Sequence, residues 1–197
     1  MSQRGFLKKY QIISYNLKNK FKITEKRPWN SEIFLVELYV QMGHFAFLLL
    51  KKGQGIVRPF LLQDSSVEDE LCDITFQLMN LANNLGICLV RAYDDYADKV
   101  IHSNVDSVSD LSLILVDAIG LISDCVLSLD EYKDPRGLDE NRYKDKISYT
   151  IIFIISILFK ISYIFEIDLT YSYKKMLMQS ESYFKDYNRN VVSEGDT

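Results

Sequence analysis

The chain has 197 residues, of which 48% are apolar and 13% aromatic, and its 27 acidic and 23 basic residues give a formal net charge of −4. This apolar content is enough to bury a sizeable core, which excludes a disordered chain, a collagen-like chain and a small disulfide scaffold. Because the sequence holds only 8 Gly and 3 Pro, it has few turn-forming residues for an all-β fold, and long helices are predicted.

The first 27 residues form a basic segment, with eight Lys or Arg residues and a single acid, Glu25. The segment therefore carries a charge of +7 and leaves −11 for the rest of the chain. Such a segment could attract nucleic acid or nucleotide phosphates. Lys18, Lys20 and Lys22 alternate with uncharged residues, which fits an extended solvated arm equally well. We expect a basic arm over residues 1–27 and no specific nucleic-acid partner.

Six helices are predicted after this arm. The first covers residues 32–52 and can be capped by Asn30 or Ser31. The second begins at a capping box formed by Ser65 and Glu68 and ends at Gly86. The others cover residues 88–102, 109–129, 143–165 and 169–187, and a flexible polar tail follows over 188–197. The predicted fold is an all-α bundle of about six helices.

The second helix carries two different stripes. Leu71, Ile74, Leu78, Leu81 and Leu85 recur at steps of three and four and predict a buried face. A separate polar stripe consists of carboxylates followed by amides: Glu70, Asp73, Gln77, Asn80 and Asn84. A solvated face is normally rich in Lys and Glu, so this composition indicates a different role for the polar stripe.

Residues 147–165 are long enough to cross a membrane, and Lys160 is their only charged residue. A charge inside the bilayer is costly, and no second span is expected, so a buried core helix is favoured over a membrane anchor. The three cysteines, Cys72, Cys88 and Cys125, are odd in number and lie in apolar runs. Buried reduced thiols, and hence a cytoplasmic protein without an export signal, are expected.

The two halves of the chain share an order of features. In each half a helix with an internal glycine, Gly43 or Gly120, leads through a loop to a long helix and then to a similar short segment. The offset is 77 residues at the glycines and 80 at the later landmarks. Chance similarity between amphipathic helix pairs is the alternative. We predict two tandem three-helix units, residues 28–104 and 105–187.

Five polar residues form a candidate site. Glu37, Gln41 and His44 share one face of the first predicted helix, and Glu70 and Asp73 share one face of the second. If the two helices pack antiparallel, the five side chains face one another. Oxygen ligands from facing helices suit Mg²⁺, which in turn binds phosphates. A carboxylate beside such a metal can orient an attacking water molecule.

The same residues resemble the MazG-type all-α nucleoside triphosphate pyrophosphohydrolases, in particular the dCTP pyrophosphatase-like branch. Glu70-Leu-Cys-Asp73, followed by Leu81-Ala82 and Leu85-Gly86-Ile87, is similar to the family motif E-x-x-D leading into L-A-x-x-L-G-I-D-L. Trp29 lies where the family has a tryptophan-containing entry. The resemblance implies an all-α, Mg²⁺-dependent enzyme that cleaves nucleoside triphosphates to monophosphates and pyrophosphate. It also implies a homodimer, or a monomer if the tandem units assemble within one chain.

The sequence departs from the family motif where carboxylates surround the glycine, because Val40, Gln41 and His44 stand there. The corresponding second-half positions hold no complete site: Asp117, Ala118, Leu121, Lys146 and Tyr149. We therefore predict Glu70 and Asp73 as the catalytic pair and Glu37, Gln41, His44, Glu70 and Asp73 as ligands of Mg²⁺ or Mn²⁺, with weak or lost activity. The alternatives are an inactive nucleotide-binding or protein-interaction module, and a membrane-associated helical protein.

Overall fold

Seven helices make up the part of the chain that the computed structural model describes, residues 1–22, 25, 27–54, 65–100, 107–130 and 139–194; only the backbone of 50–54 and 187–194 is included. They are α1 (Gln3–Phe21), α2 (Ser31–Gln54), α3 (Val67–Asn84), α4 (Leu89–Tyr96), α5 (Val108–Leu129), α6 (Glu140–Ile164) and α7 (Leu169–Glu194). These described residues contain no strand. The predicted all-α bundle is confirmed.

The six predicted helices correspond to α2–α7, with two differences at the ends. Helix α4 ends at Tyr96, several residues before the predicted end at 102, and residues 101–106 lie outside the described part. Helix α7 continues to Glu194, so most of the segment predicted as a flexible tail has a helical backbone, and residues 195–197 are outside the described part.

The capping box of α3 lies one residue later than predicted. The backbone N–H of Asp69 donates to Ser66 Oγ at 3.2 Å, and the backbone N–H of Ser66 donates to the Asp69 carboxylate at 3.0 Å. Ser66 is therefore the N-cap, in place of the predicted Ser65. Ser65 instead donates its hydroxyl to the carboxylate of Glu70, which brings it to the candidate site.

Helix α1 corrects the prediction of an extended basic arm. Its residues Phe6, Leu7, Tyr10 and Leu17 are buried at helical spacing, so the segment belongs to the hydrophobic core. The Gln11 side chain donates to the carbonyl of Ile87 at 2.7 Å and accepts from the N–H of Leu89 at 2.9 Å. These bonds fix α1 against the turn between α3 and α4.

The apolar run 147–165 lies largely in α6, at the centre of the bundle. Its residues Ile147, Ile151, Ile154 and Leu158 are fully buried against other helices of the chain. Three described helical segments are nevertheless long and apolar enough to cross a membrane by length and composition: Ser31–Leu49, Val108–Leu129 and Glu140–Ile164. The expectation of a single candidate span is therefore wrong.

The turns that follow α3 and α6 have the same hydrogen bonds at an offset of 80 residues. The N–H of Ile87 donates to the carbonyl of Ala82, and that of Ile167 to the carbonyl of Ser162, both at 2.8 Å. Both turns are Schellman motifs, in which the residue just past the helix has a positive φ. This repeated geometry supports the tandem duplication, which stays a prediction.

Two of the three free cysteines, Cys72 and Cys125, are buried as predicted, whereas Cys88 is exposed at the N-cap of α4. Burial raises the pKa of the Cys72 thiol to about 12, so that thiol stays protonated at neutral pH.

Candidate functional site

Helices α2 and α3 pack antiparallel, as the candidate site requires. At one end the Asn84 amide donates to Ser31 Oγ at 2.8 Å, and at the other His44 Nδ1 lies 3.6 Å from Glu70 Oε2. The register between these two pairs places Gln41 at the level of Asp73 and Glu37 at the level of Gln77. We call the polar surface between these helices, formed by Glu37, Gln41, His44, Glu70 and Asp73, the α2–α3 seam.

Glu70 is the most buried residue of the seam, with 2% of its surface exposed. One carboxylate oxygen, Oε1, accepts the hydroxyl of Ser65. The other, Oε2, is buried without a hydrogen-bond donor in the described part of the chain, and its nearest charged neighbour is the imidazole of His44. A buried anionic oxygen without a partner is costly, so this atom marks a place where a cation would be stabilised.

Asp73 lies one turn further along α3 and is partly exposed. Burial, reinforced by the negative charges of Glu70, Asp69 and Glu37, raises the pKa of Asp73 to about 6. The influence of Glu37 on this pKa places the α2 carboxylate close to the α3 carboxylates, as the sequence predicts. The seam therefore concentrates negative charge that no basic side chain within it neutralises, apart from His44 when it is protonated.

The five predicted metal ligands do not form one coordination sphere. Across the described ranges, no three His, Cys, Asp or Glu side chains lie close enough together to bind a single ion. The structure brings Glu70 and His44 together directly, places Asp73 and Glu37 nearby, and leaves Gln41 related to Asp73 by register alone. The Mg²⁺ or Mn²⁺ ion stays a prediction.

The polar stripe of α3 continues beyond the carboxylates as buried amides. Gln77 and Asn80 are 6% and 2% exposed, and their oxygens Oε1 and Oδ1 have no hydrogen-bond donor among the described residues. The Asn80 amide nitrogen donates to the Phe76 carbonyl at 2.9 Å. The sequence pattern indicated a special role for this stripe, but the unpaired acceptors could be found only in three dimensions.

A small cavity of about 80 Å³ adjoins the amide end of the stripe. Lys18 lies there with its ammonium 4.4 Å from the Trp29 ring centroid and forms a buried ion pair with Glu25. Trp29 also packs against Phe34, with ring centroids 5.6 Å apart. The lining comes from α1, α2, α3 and the segment before α2: Tyr15, Lys18, Asn19, Lys22, Trp29, Phe34, Asn80, Asn83 and Asn84. The contribution of α1 was missed, because Lys18 reaches this cavity only after α1 folds against α3.

The second half has no comparable site. Because the turns after α3 and α6 match at an offset of 80 and α6 is uninterrupted, the counterparts of Glu70 and Asp73 are Thr150 and Phe153. This register replaces the predicted counterparts, Lys146 and Tyr149. Either register leaves α6 without carboxylates at these positions.

Comparisons with protein-family models, with curated proteins and with solved structures found no match. The resemblance to the MazG-type pyrophosphohydrolases therefore rests on the motif residues of α2 and α3 and on the geometry in which those residues are held.

Proposed function

We propose that this protein binds a nucleoside triphosphate together with one divalent cation at the α2–α3 seam, and that cleavage to monophosphate and pyrophosphate is slow or lost. The observation that supports the proposal best is the buried Oε2 of Glu70, which lacks a hydrogen-bond donor among the described residues. An Mg²⁺ or Mn²⁺ ion bound by Glu70 and Asp73 would offset the cost of burying these carboxylates.

The cation is needed because the seam itself repels phosphate. Glu37, Glu70 and Asp73 are mutually close, and the raised pKa of Asp73 reflects their repulsion. A divalent ion reverses the sign of the local field and can share its remaining positions with phosphate oxygens. The nucleotide is therefore expected to bind as its metal complex and not as the free anion.

The amide end of α3 is suited to the base. Asn80 lies seven residues beyond Asp73, which corresponds to about 10 Å along the helix axis, comparable to the length of a nucleoside triphosphate from its base to its terminal phosphates. The free Oδ1 of Asn80 can accept from a base amino group, and Trp29 provides an aromatic wall. A base with an exocyclic amino group, such as cytosine or adenine, satisfies that acceptor.

Slow chemistry follows from the ligand set. Gln41 is a neutral ligand, His44 lies against Glu70, and no three acidic or imidazole groups among the described residues share one position. A second metal ion, which many phosphate-cleaving sites use to stabilise both attacking and leaving oxygens, has no ligands here. Binding is therefore expected to outlast turnover.

Calorimetry with the four dNTPs, each with Mg²⁺ or Mn²⁺, tests binding, and pyrophosphate release at high protein concentration tests turnover. Asp73→Asn and Glu70→Gln should weaken metal–nucleotide binding at least tenfold. The matched control is Glu68→Gln, because Glu68 lies in the same first turn of α3 but on the opposite side of the helix from Glu70.

Metal-dependent binding that both seam variants weaken, with little turnover, is the expected result. Absence of nucleotide binding by the wild-type protein, or an equal loss in Glu68→Gln, would exclude this site. Rapid turnover abolished by Asp73→Asn would show a working enzyme and would overturn only the claim of slow chemistry.

A second candidate function is association through the outward surface of α2 and α5. This surface exposes large apolar side chains, with Val36 61% and Leu113 68% exposed, and it also includes Tyr39, Val40, Val116 and Leu121. In α2 the arrangement is inverted relative to an ordinary surface helix, because the polar residues Glu37, Gln41 and His44 face α3 while valines face outward. Contiguous exposed apolar surface of this kind is typical of interaction sites.

Light scattering after size exclusion separates the forms that such a surface can take. A dimer that Leu113→Asp with Val36→Asp converts to a monomer would support a protein-interaction module, and recovery only from the detergent-extracted membrane fraction would support a membrane-associated protein. A detergent-free monomer would remove this candidate.

A further inference from the structure

A groove of about 360 Å³ lies between α1 and α7 and shares no lining residue with the α2–α3 seam. The two helices run parallel, since Ser14 Oγ lies 2.7 Å from the Tyr173 hydroxyl and Lys20 Nζ lies 2.5 Å from Glu181 Oε1 further along both. The groove spans α1 from Lys9 to Lys20, which corresponds to about 16 Å along the helix axis. This volume falls within the range of small-molecule sites.

The floor of the groove is apolar and partly open to solvent. Tyr10, Leu17 and Leu177 form its buried part, while Ile13 and Met178 are 37% and 61% exposed. Exposed apolar side chains lining a concave surface favour a ligand with an apolar portion, because covering them removes apolar area from water. The floor therefore selects for a hydrocarbon or aromatic group.

The charges on the rim are asymmetric. At one end Lys20 forms an ion pair with Glu181, so this end is neutralised. At the other end Lys9 Nζ lies 5.2 Å from the Tyr10 ring centroid, and Lys174 is close enough to Tyr10 to act on its hydroxyl electrostatically. Neither Lys9 nor Lys174 has a carboxylate partner within the described segments. Unneutralised positive charge is thus confined to one end of an apolar channel.

We propose that the α1–α7 groove binds a single-chain amphiphile with one anionic head group, a carboxylate or a phosphate monoester. The head group lies between Lys9 and Lys174, and the chain extends over Ile13 and Met178 toward the Lys20–Glu181 pair. The 16 Å span matches an extended chain of about twelve carbons. The single unneutralised end favours one anionic head group, whereas an acidic peptide with charges along its length would meet Glu181.

Titration calorimetry with monomeric dodecanoate and dodecyl phosphate, both below their micelle-forming concentrations, tests the proposal. The charge reversal Lys9→Glu with Lys174→Glu should weaken binding at least tenfold. The matched control is Lys8→Glu with Lys175→Glu, which changes the net charge equally on the same two helices at exposed positions outside the groove lining. Met178→Asp should weaken binding at least fivefold through the apolar floor, independently of the lysines.

One-site binding of both anionic probes, lost in the groove variants and retained within about twofold in the control, is the expected result. The proposal is overturned if dodecyltrimethylammonium binds as tightly as dodecanoate, if the control variant loses as much affinity as the groove variant, or if the protein binds only vesicles of anionic lipid and not the monomeric probes. Circular dichroism of each variant confirms that its helices are intact, and Met178→Asp decides the case if the charge-reversed variant unfolds.

Discussion

Gly86 and Glu166, 80 residues apart, end α3 and α6 with the same left-handed residue, at φ values of 70° and 56°. Each accepts this conformation as the C′ residue of a Schellman motif. Glycine adopts a positive φ without steric cost, whereas a glutamate pays for the clash between its Cβ and the backbone. The two turns therefore share a geometry but differ in strain.

Glu166→Gly should stabilise the protein by about 1 kcal/mol, because it removes the left-handed strain and leaves the hydrogen bonds of the turn unchanged. Urea denaturation of the variant and the wild-type protein measures this directly. A loss of stability would mean that the Glu166 side chain makes a contribution larger than its backbone strain.

Gly86→Ala should destabilise the protein by about 1 kcal/mol for the converse reason. A Cβ at Gly86 meets no atom within 4 Å, so the cost comes from the backbone alone. Gly43→Ala provides the contrast, because Gly43 lies inside α2 and a Cβ there also meets nothing; it should stabilise by about 0.5–1 kcal/mol. Equal effects of the two substitutions in urea denaturation would contradict this explanation.

Gln11→Ala should destabilise the protein by about 2 kcal/mol, because it leaves the buried carbonyl of Ile87 and the N–H of Leu89 without partners. The effect should also be local, with faster hydrogen exchange of the Leu89 amide than of amides in the middle of α6. Lys8→Ala, an exposed change on the same helix, should shift stability by less than about 0.5 kcal/mol. Unchanged exchange at Leu89 would mean that α1 does not hold this turn.

The behaviour of α1 also explains what the sequence could predict about the fold. Helices α2–α7 were predictable because each has a dense apolar stripe between recognisable start and stop signals. Phe6, Leu7, Tyr10 and Leu17 form such a stripe too, but the surrounding lysines dominated its interpretation as a solvated arm. Lys18 is the clearest case, since its burial depends on Glu25 and Trp29, which are contacts made only in the folded chain.

The candidate site was predictable to a similar depth. Helical spacing alone places Glu37, Gln41 and His44 on one face and Glu70 and Asp73 on another, and the antiparallel packing brings His44 to Glu70. The role of Ser65 was not predictable, because it depends on the cap of α3 beginning one residue later than the pattern indicates. Whether the ligands converge on one ion depends on distances of a few ångströms, which residue spacing does not determine.

Asp73→Asn should stabilise the protein at neutral pH and weaken nucleotide binding at the same time. The pKa of Asp73 in the folded protein, about 6, lies above its ordinary value of 3.8, mainly because of burial. Ionising this group therefore opposes folding: the penalty is absent below about pH 4, grows between pH 4 and 6, and reaches about 1–3 kcal/mol at pH 7. Asparagine does not titrate, so the gain in the free energy of unfolding should disappear as the pH falls to 4. A gain that is independent of pH would exclude titration of Asp73 as its cause.

Divalent cations should stabilise the protein more at pH 7.5 than at pH 5, if the proposed function is correct. At pH 7.5 Asp73 is ionised and can bind Mn²⁺ together with Glu70, whereas at pH 5 the ion must displace a proton from a group whose pKa is about 6. An ion present at ten times its dissociation constant adds about 1.4 kcal/mol, or about 2–4 °C in Tm for a chain of this length. Differential scanning calorimetry at the two pH values, with the wild-type protein and Asp73→Asn, measures the difference. The shift should fall to less than about a third at pH 5 and should be absent in the variant at both pH values, because the ion loses its ionised α3 ligand in each case. A shift that persists in Asp73→Asn would place the bound ion away from the α2–α3 seam.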